Sequence, residues 1–269
     1  MSRFLLSCTT CATRWPGVDE VEACFDIAPK IGFRAWGIAG PLTGTLGMAK
    51  WVNFELVRRR AEEVGLTQCT EVYSPTFPSN SVEDAVSAAP DIAALFDAAE
   101  VLGSPLVVIT GNKRVEGGLD ATIAGLKALL PMIEGRGVKV ALEPHYRKQI
   151  QFIEDYDAIF SEIDSPQVGI TLDSGHFHSA GVDWRELIAR YRDRIINFHV
   201  KDHIGTQSVA IGAGEVDLKG YIEALHAIDY DGPLALELEV EDWENLPRYC
   251  AEAYGYLRDL VGEVTGAAA

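Results

Sequence analysis

The stretch VKVALEPHYR, residues 138–147, opens as a run rich in β-branched and apolar residues and then sets Glu143 and His145 two positions apart where the run stops. Side chains repeat every second residue along a strand, so a chain that stays extended here sends both groups to the same side. Pro144 between them is the one residue that could turn His145 away. The fold rests on whether other strands end in the same manner.

Outward from this stretch, short β-rich runs alternate with amphipathic helical stretches along the chain. The pattern predicts strands over 4–8, 33–38, 67–73, 106–110, 139–143, 168–172, 195–200 and 234–239. Helices are expected over 19–31, 49–64, 82–102, 119–134, 155–163, 184–191, 218–228 and 243–260. Gly32, Gly65, Gly103 and Gly137 stand after helical segments and before strands, where helix C-caps belong. Unbroken strand-helix alternation with no linker argues for a parallel sheet in one domain, and about 250 residues in eight units is the size of a (β/α)8 TIM barrel. The expected extent is 1–264, with 265–269 as a frayed C-terminal tail. A doubly wound sheet is disfavoured because the turn after the first strand, SCTTCATRWPG, lacks the glycine pattern of a dinucleotide site.

In such a barrel the chemistry gathers at the C-terminal ends of the strands. Four consecutive units place a polar residue there: Glu143 in ALEPH, Asp173 in LDSGH, His199 in FHVKD and Glu237 in LALELE. The steps are 30 (143 to 173), 26 (173 to 199) and 38 (199 to 237), each near one strand-helix unit of roughly 30 residues. Three carboxylates held together without a cation would repel, and a divalent metal resolves that repulsion. Three oxygen donors and one imidazole suit Mn²⁺ first, with Mg²⁺, Co²⁺ or Zn²⁺ as alternatives. Taken singly, a strand-end glutamate or aspartate more often caps a helix or pairs with a loop amide; the unit spacing of the four together favours the metal.

Composition narrows the remaining classes. A net charge of -17 repels phosphate backbones and anionic membrane surfaces, so neither nucleic acid nor membrane is an expected partner. The N-terminal MSRFLLSCTTCATRWPG has about five apolar positions together, too few for a signal h-region, so a cytoplasmic location is expected. Five cysteines, an odd number at irregular spacing, read as free thiols, and the CTTC pair Cys8 and Cys11 is left out of the site.

The quartet and its surrounding motifs resemble the xylose isomerase-like (β/α)8 superfamily of sugar isomerases and epimerases. The ketose 3-epimerases, hydroxypyruvate isomerases and inosose isomerases and dehydratases are nearest in pattern. The resemblance runs over nearly the whole chain, including GAGEVDLKGYIEALHAIDYDGPLALELE at 212–239. It implies a divalent-metal-dependent isomerase or epimerase of a sugar or keto-sugar, moving a proton through a metal-bound enediolate. Glu143 and Glu237 would then be acid and base as well as ligands, and His176 would hydrogen-bond a substrate oxygen. Two departures bear on the substrate: His145 stands where the ketose epimerases tend to carry asparagine, and the loop KDHIGTQ has no arginine.

His145, with an ordinary pKa near 6.5, is a candidate general base. That makes a metal-dependent lyase or dehydratase acting on a keto-sugar, cyclitol or 3-keto C-glycoside the alternative. Lys201, two residues past His199, can reach the same mouth or pair near Asp202 at the rim. Of the aromatics near the ends of the first three strands, Trp15, Trp36, Tyr73 and Phe77, one or two are expected to face sugar, with Trp15 and Tyr73 chosen. Lys113, Arg114 and Arg147 read as solvated charges rather than a phosphate site. Abasic DNA cleavage, known for a related barrel family, needs extra histidines where this chain has AWGIAG, EVYSP and GAGEVD. A homo-oligomer or a place as a subunit of an enzyme complex stays open.

Overall fold

The computed structural model describes residues 4–266. Eight parallel strands close into a barrel: β1 (Leu5–Thr9), β2 (Ala35–Ile38), β3 (Gln68–Tyr73), β4 (Leu106–Thr110), β5 (Lys139–Glu143), β6 (Val168–Asp173), β7 (Ile195–Val200) and, after a small antiparallel hairpin of β8 (Asp202–Ile204) and β9 (Gln207–Val209), β10 (Pro233–Leu236). The closing contact pairs β1 with β10. Around the barrel run α1 (Glu20–Ile31), α2 (Pro41–Gly44), α3 (Phe54–Glu63), α4 (Val82–Leu102), α5 (Gly118–Ile133), α6 (Ile153–Glu162), α7 (Ser174–Ala180), α8 (Trp184–Tyr191), α9 (Leu218–Ala227) and α10 (Leu246–Thr265). The expected (β/α)8 barrel is the observed fold. Among the described residues no helix is long and apolar enough to cross a membrane.

The two-residue period of each strand divides apolar from polar. Val140 and Leu142, Ile170 and Leu172, Phe198 and Val200, and Leu234 and Leu236 all enter the apolar layer between sheet and helices. Each such side chain contributes about 1.5–3 kcal/mol on burial. The alternate positions face the barrel axis: Thr171 and Asp173, Asn197, His199 and Lys201, Ala235 and Glu237. This interior is polar for a barrel core, and every one of those polar side chains is buried. Two irregularities set the inward phase. The register skips Thr70 between Cys69 and Glu71, and skips Ile196 between Ile195 and Asn197, so Glu71 and Asn197 turn inward.

The boundaries differ from expectation where local hydrogen bonding outweighs periodicity. The stretch expected as one helix over 49–64 is split, with a 3-10 turn at Met48–Trp51 and α3 starting only after Asn53, whose side chain accepts from Leu56 N. The last strand stops at Leu236, so Glu237 and Glu239 lie beyond it. Gly137 is not the cap of α5; Gly135, with φ 78°, takes the left-handed turn after Ile133. Thr265 belongs to α10, and residues 267–269 of the expected tail lie outside the described residues. All five cysteines are buried and free.

Candidate metal centre and active site

The C-terminal ends of β5, β6 and β7 and the first residue past β10 bring Glu143, Asp173, His199 and Glu237 together. One ligand atom from each lies within 4.8 Å of the other three, and all four residues are buried. His199 is the hub: its Nδ1 lies 2.7 Å from Glu143 Oε1, 3.6 Å from Glu237 Oε2 and 3.8 Å from Asp173 Oδ2. Glu143 is held at both oxygens, since Tyr73 Oη donates to Oε2 at 2.8 Å.

Asp173 ends β6 and also caps α7, so its Oδ1 accepts the His176 backbone N–H at 2.7 Å. Its Oδ2 is buried and has no hydrogen-bond partner. That orphaned oxygen is the strongest local sign of a cation site, because a buried carboxylate oxygen without a donor costs free energy that a bound ion recovers. Burial, reinforced by the charge of Glu143, pushes Asp173 up to about 7 even against Lys201 and His199. Burial likewise raises Glu237. Glu143 is pushed up by burial, but His199 and then Lys201 outweigh this and hold it below the ordinary carboxylate range. The donor set fits a divalent ion of the hard or borderline class.

Lys201 puts a buried positive charge in the site's wall. It is 2% exposed, its ammonium hydrogen-bonds Glu239 Oε2 at 2.9 Å and His176 Nε2 at 3.2 Å, and it forms an ion pair with Glu237 Oε2 at 2.9 Å. Asp173 Oδ2 is 3.4 Å away. Lys201 does not pair with the neighbours of Asp202, whose carboxylate instead accepts backbone N–H groups from Gly212, Gly214 and Val216 and ties down the loop after the hairpin.

A cavity of about 400 Å³ opens above this floor. Glu143, His145, Lys201 and Glu237 line it, as do Tyr73 and Glu239. His145 therefore stays in the mouth despite Pro144; burial holds it below its ordinary pKa, as a neutral imidazole. His176 lies against His145, with ring centroids 3.7 Å apart, and its Nδ1 is buried without a partner. Burial, then the Lys201 charge, keeps His176 neutral as well.

Of the aromatics chosen from sequence, Tyr73 is in the wall and Trp15 is not. After β1 the chain passes through a 3-10 turn, Thr10–Thr13, which turns Cys11 and Arg14 to the cavity and leaves Trp15 packed part-buried on the core. Trp36 meets Phe25 edge-on at 5.0 Å, and Phe77 fills the space over Gly125, so both are core. Arg114 forms a two-pronged pair with Asp155, while Arg147 lies over the Tyr146 ring.

Sequence reasoning missed Glu71, which is fully buried beneath the quartet and contacts His199 Nε2 at 3.1 Å. The available signal was a carboxylate two residues before Tyr73 inside an otherwise apolar-capable strand.

His203 gives a pH test of this region. Its Nδ1 pairs with Ser179 Oγ at 2.9 Å, and burial, then the charge of Lys201, lowers it to about 4, with Glu239, His178 and Asp202 also facing it. Between pH 6.5 and about 4 the unfolded chain binds the proton and the folded one does not, so His203 makes stability fall as pH drops through that window. Asp173 acts in the opposite sense, because its folded value is raised. The comparison is therefore between variants: His203→Gln is expected to lose less melting temperature from pH 6.5 to 4 than the parent, and equal losses would contradict it.

A family model for the xylose isomerase-like TIM barrel matches residues 25–260. The inosose dehydratase of Geobacillus thermodenitrificans is 27% identical over 164 residues, 53% of this chain and 55% of that one. The chain thus spans about half the length of the curated relatives it matches. In three dimensions it is similar to the IolI protein, solved with a bound zinc atom, at TM-score 0.79 and 19% identity over 97% of this chain and 99% of that one. It is also similar to the 3-keto-D-glucoside 4-epimerase of E. coli, at TM-score 0.76 and 19% identity over 96% of this chain and 100% of that one. Both structural likenesses are likenesses of fold.

Proposed function

The chain belongs to the xylose isomerase-like TIM barrel family, and from that premise we propose that it is a divalent-metal-dependent isomerase or epimerase of a sugar or keto-sugar. The observation that carries the reading is the pair of carboxylates, Glu143 and Glu237, fixed on the cavity wall from β5 and from just past β10, with β6 and β7 between them. Glu143, Asp173, His199 and Glu237 would hold the ion, and Mn²⁺ is the one proposed. When bound, such an ion polarises a substrate carbonyl and acidifies the adjacent C–H.

The chain's own residues supply the rest. Glu143, oriented by His199 and Tyr73, and Glu237, oriented by Lys201, are set to remove a proton from carbon and return one from the other side. Lys201 keeps a fixed positive charge beside the atoms where negative charge develops. His176 is the proposed donor to a substrate oxygen; it is not among the residues lining the cavity, and its unpartnered Nδ1 is buried, so reaching substrate requires the His145 ring packed on it to shift.

A second reading is favoured by His145. A neutral imidazole on the cavity wall, backed by His176, is placed to drive elimination, as in a lyase or dehydratase acting on a keto-sugar, cyclitol or 3-keto C-glycoside. The two readings separate in D₂O with Mn²⁺-loaded protein and a panel of ketoses, keto-inositols and 3-keto-glucosides. Deuterium beside the carbonyl in a product of otherwise unchanged composition is the expected result. Loss of water or an aglycone, abolished by His145→Ala, would establish the lyase instead. Absence of both across the panel would remove support from either reading.

A further inference from the structure

We propose that Glu71 is a positioning residue for the metal centre, holding the Nε2 side of His199 so that Nδ1 is the nitrogen aimed at the oxygens of Glu143, Asp173 and Glu237 and the one that gives up its proton when an ion binds. The proposal rests on the metal-site reading above. Imidazole has two nitrogens, and the hydrogen bond made by one decides which of them is available as a ligand. Here the division is geometrical. Nδ1 faces the quartet, 2.7 Å from Glu143, whereas Nε2 faces away from it, 3.2 Å and 3.1 Å from the two oxygens of Glu71.

Three features of the sequence build this contact. The skipped residue Thr70 turns Glu71 inward, at a position where regular pairing would have placed its neighbour. Gly37, on the adjacent strand, makes the space: a Cβ there would stand 2.6 Å from Glu71 Cγ. Asn197, brought inward by the register shift in β7, donates its Nδ2 to Glu71 Oε2 at 2.6 Å. Asn197 Nδ2 also lies 3.2 Å from His199 Nε2, so Glu71, Asn197 and His199 form one hydrogen-bonded cluster on the side of the ring away from the quartet. Glu71 is not among the residues lining the cavity, and it is fully buried, so it acts through His199 and not on substrate.

The test measures metal affinity as well as turnover. Competition with a chromogenic chelator gives the Mn²⁺ and Zn²⁺ affinities of the parent and of Glu71→Gln, Glu71→Leu and Gly37→Ala, each checked for fold by circular dichroism and melting. Glu71→Leu removes the acceptor and is expected to lose about 10–100-fold in affinity, the range for groups that orient a ligand. Glu71→Gln keeps one acceptor oxygen and is expected to recover most of that loss. Gly37→Ala, which displaces the carboxylate without changing it, should resemble Glu71→Leu.

A measurement on the parent guards against variants that fail to fold. In zinc-loaded protein labelled with ¹⁵N-histidine, His199 is expected to show a protonated Nε2 and a metal-shifted Nδ1. A folded Glu71→Leu with parental affinity, or a zinc-shifted Nε2, would overturn the proposal while leaving the metal centre in place. A parent protein without measurable affinity for either ion would overturn the metal reading and this inference together.

Discussion

Glu143→Gln is expected to abolish turnover and to weaken metal binding in the same variant. Both oxygens of Glu143 already accept a hydrogen bond, from His199 Nδ1 at 2.7 Å and Tyr73 Oη at 2.8 Å. An amide supplies one oxygen and one NH₂, so one of those donors must then face another donor. The NH₂ cannot ligate a hard cation, and the amide cannot take up a proton from carbon. Loss of a positioned base costs typically 10²–10⁴-fold in rate, and loss of a ligand adds to it, so a fall of at least about 10³-fold in kcat/KM is expected. Calorimetric titration with Mn²⁺ alongside D₂O exchange checks both effects at once. A variant that keeps full affinity and full turnover would show that the site is assigned wrongly. His145→Ala is the control, because His145 shares the cavity but is not in the quartet, and its removal should leave the ion bound.

The second large effect is on stability. Lys201→Met is expected to destabilise the metal-free protein by about 3–5 kcal/mol, the usual cost of removing one partner from a buried ion pair. The ammonium sits among Asp173, Glu237 and Glu239, and burial, which would lower its pKa, is outweighed by Asp173 and then Glu237, which raise it well above the ordinary value. Methionine fills a similar volume and leaves those carboxylates facing one another. Added Mn²⁺ should restore part of the loss, since an ion at 100 times its Kd stabilises the fold by about 2.7 kcal/mol. Urea unfolding with chelator and with Mn²⁺ separates the two contributions. A metal-free variant as stable as the parent would mean that the carboxylates take up protons at no net cost, and the charge balance drawn above would be wrong.

Much of this arrangement was legible in the chain. β4, β5 and β7 fall on the predicted residues because each is a short apolar run bounded by a polar group. The quartet was legible because strand ends in a barrel recur at the unit length, so four residues far apart in sequence announce one another by spacing. α7 was not, since Ser174–Ala180 carries no apolar period and owes its start to the Asp173 side chain. The β8–β9 hairpin has three-residue strands, too short for alternation to register. Trp15 was misplaced because a 3-10 turn after β1 has no marker of its own. Glu71 escaped for a different reason: it ends no strand, and its partner lies 128 residues away.

That long-range contact has a consequence for how the two halves of the chain depend on each other. Every member of the quartet comes from the second half, between residues 143 and 237, whereas Tyr73 and Glu71, which fix the orientation of Glu143 and His199, come from the first. Glu143 and His199 and the side chains that aim them are therefore contributed by opposite half-barrels and meet only when the cylinder closes. Selection for tight binding in this chain acts at once on both halves, and a recombination event that exchanged residues before β4 for those of another barrel would keep all four ligands while losing the alignment of Glu143 and His199.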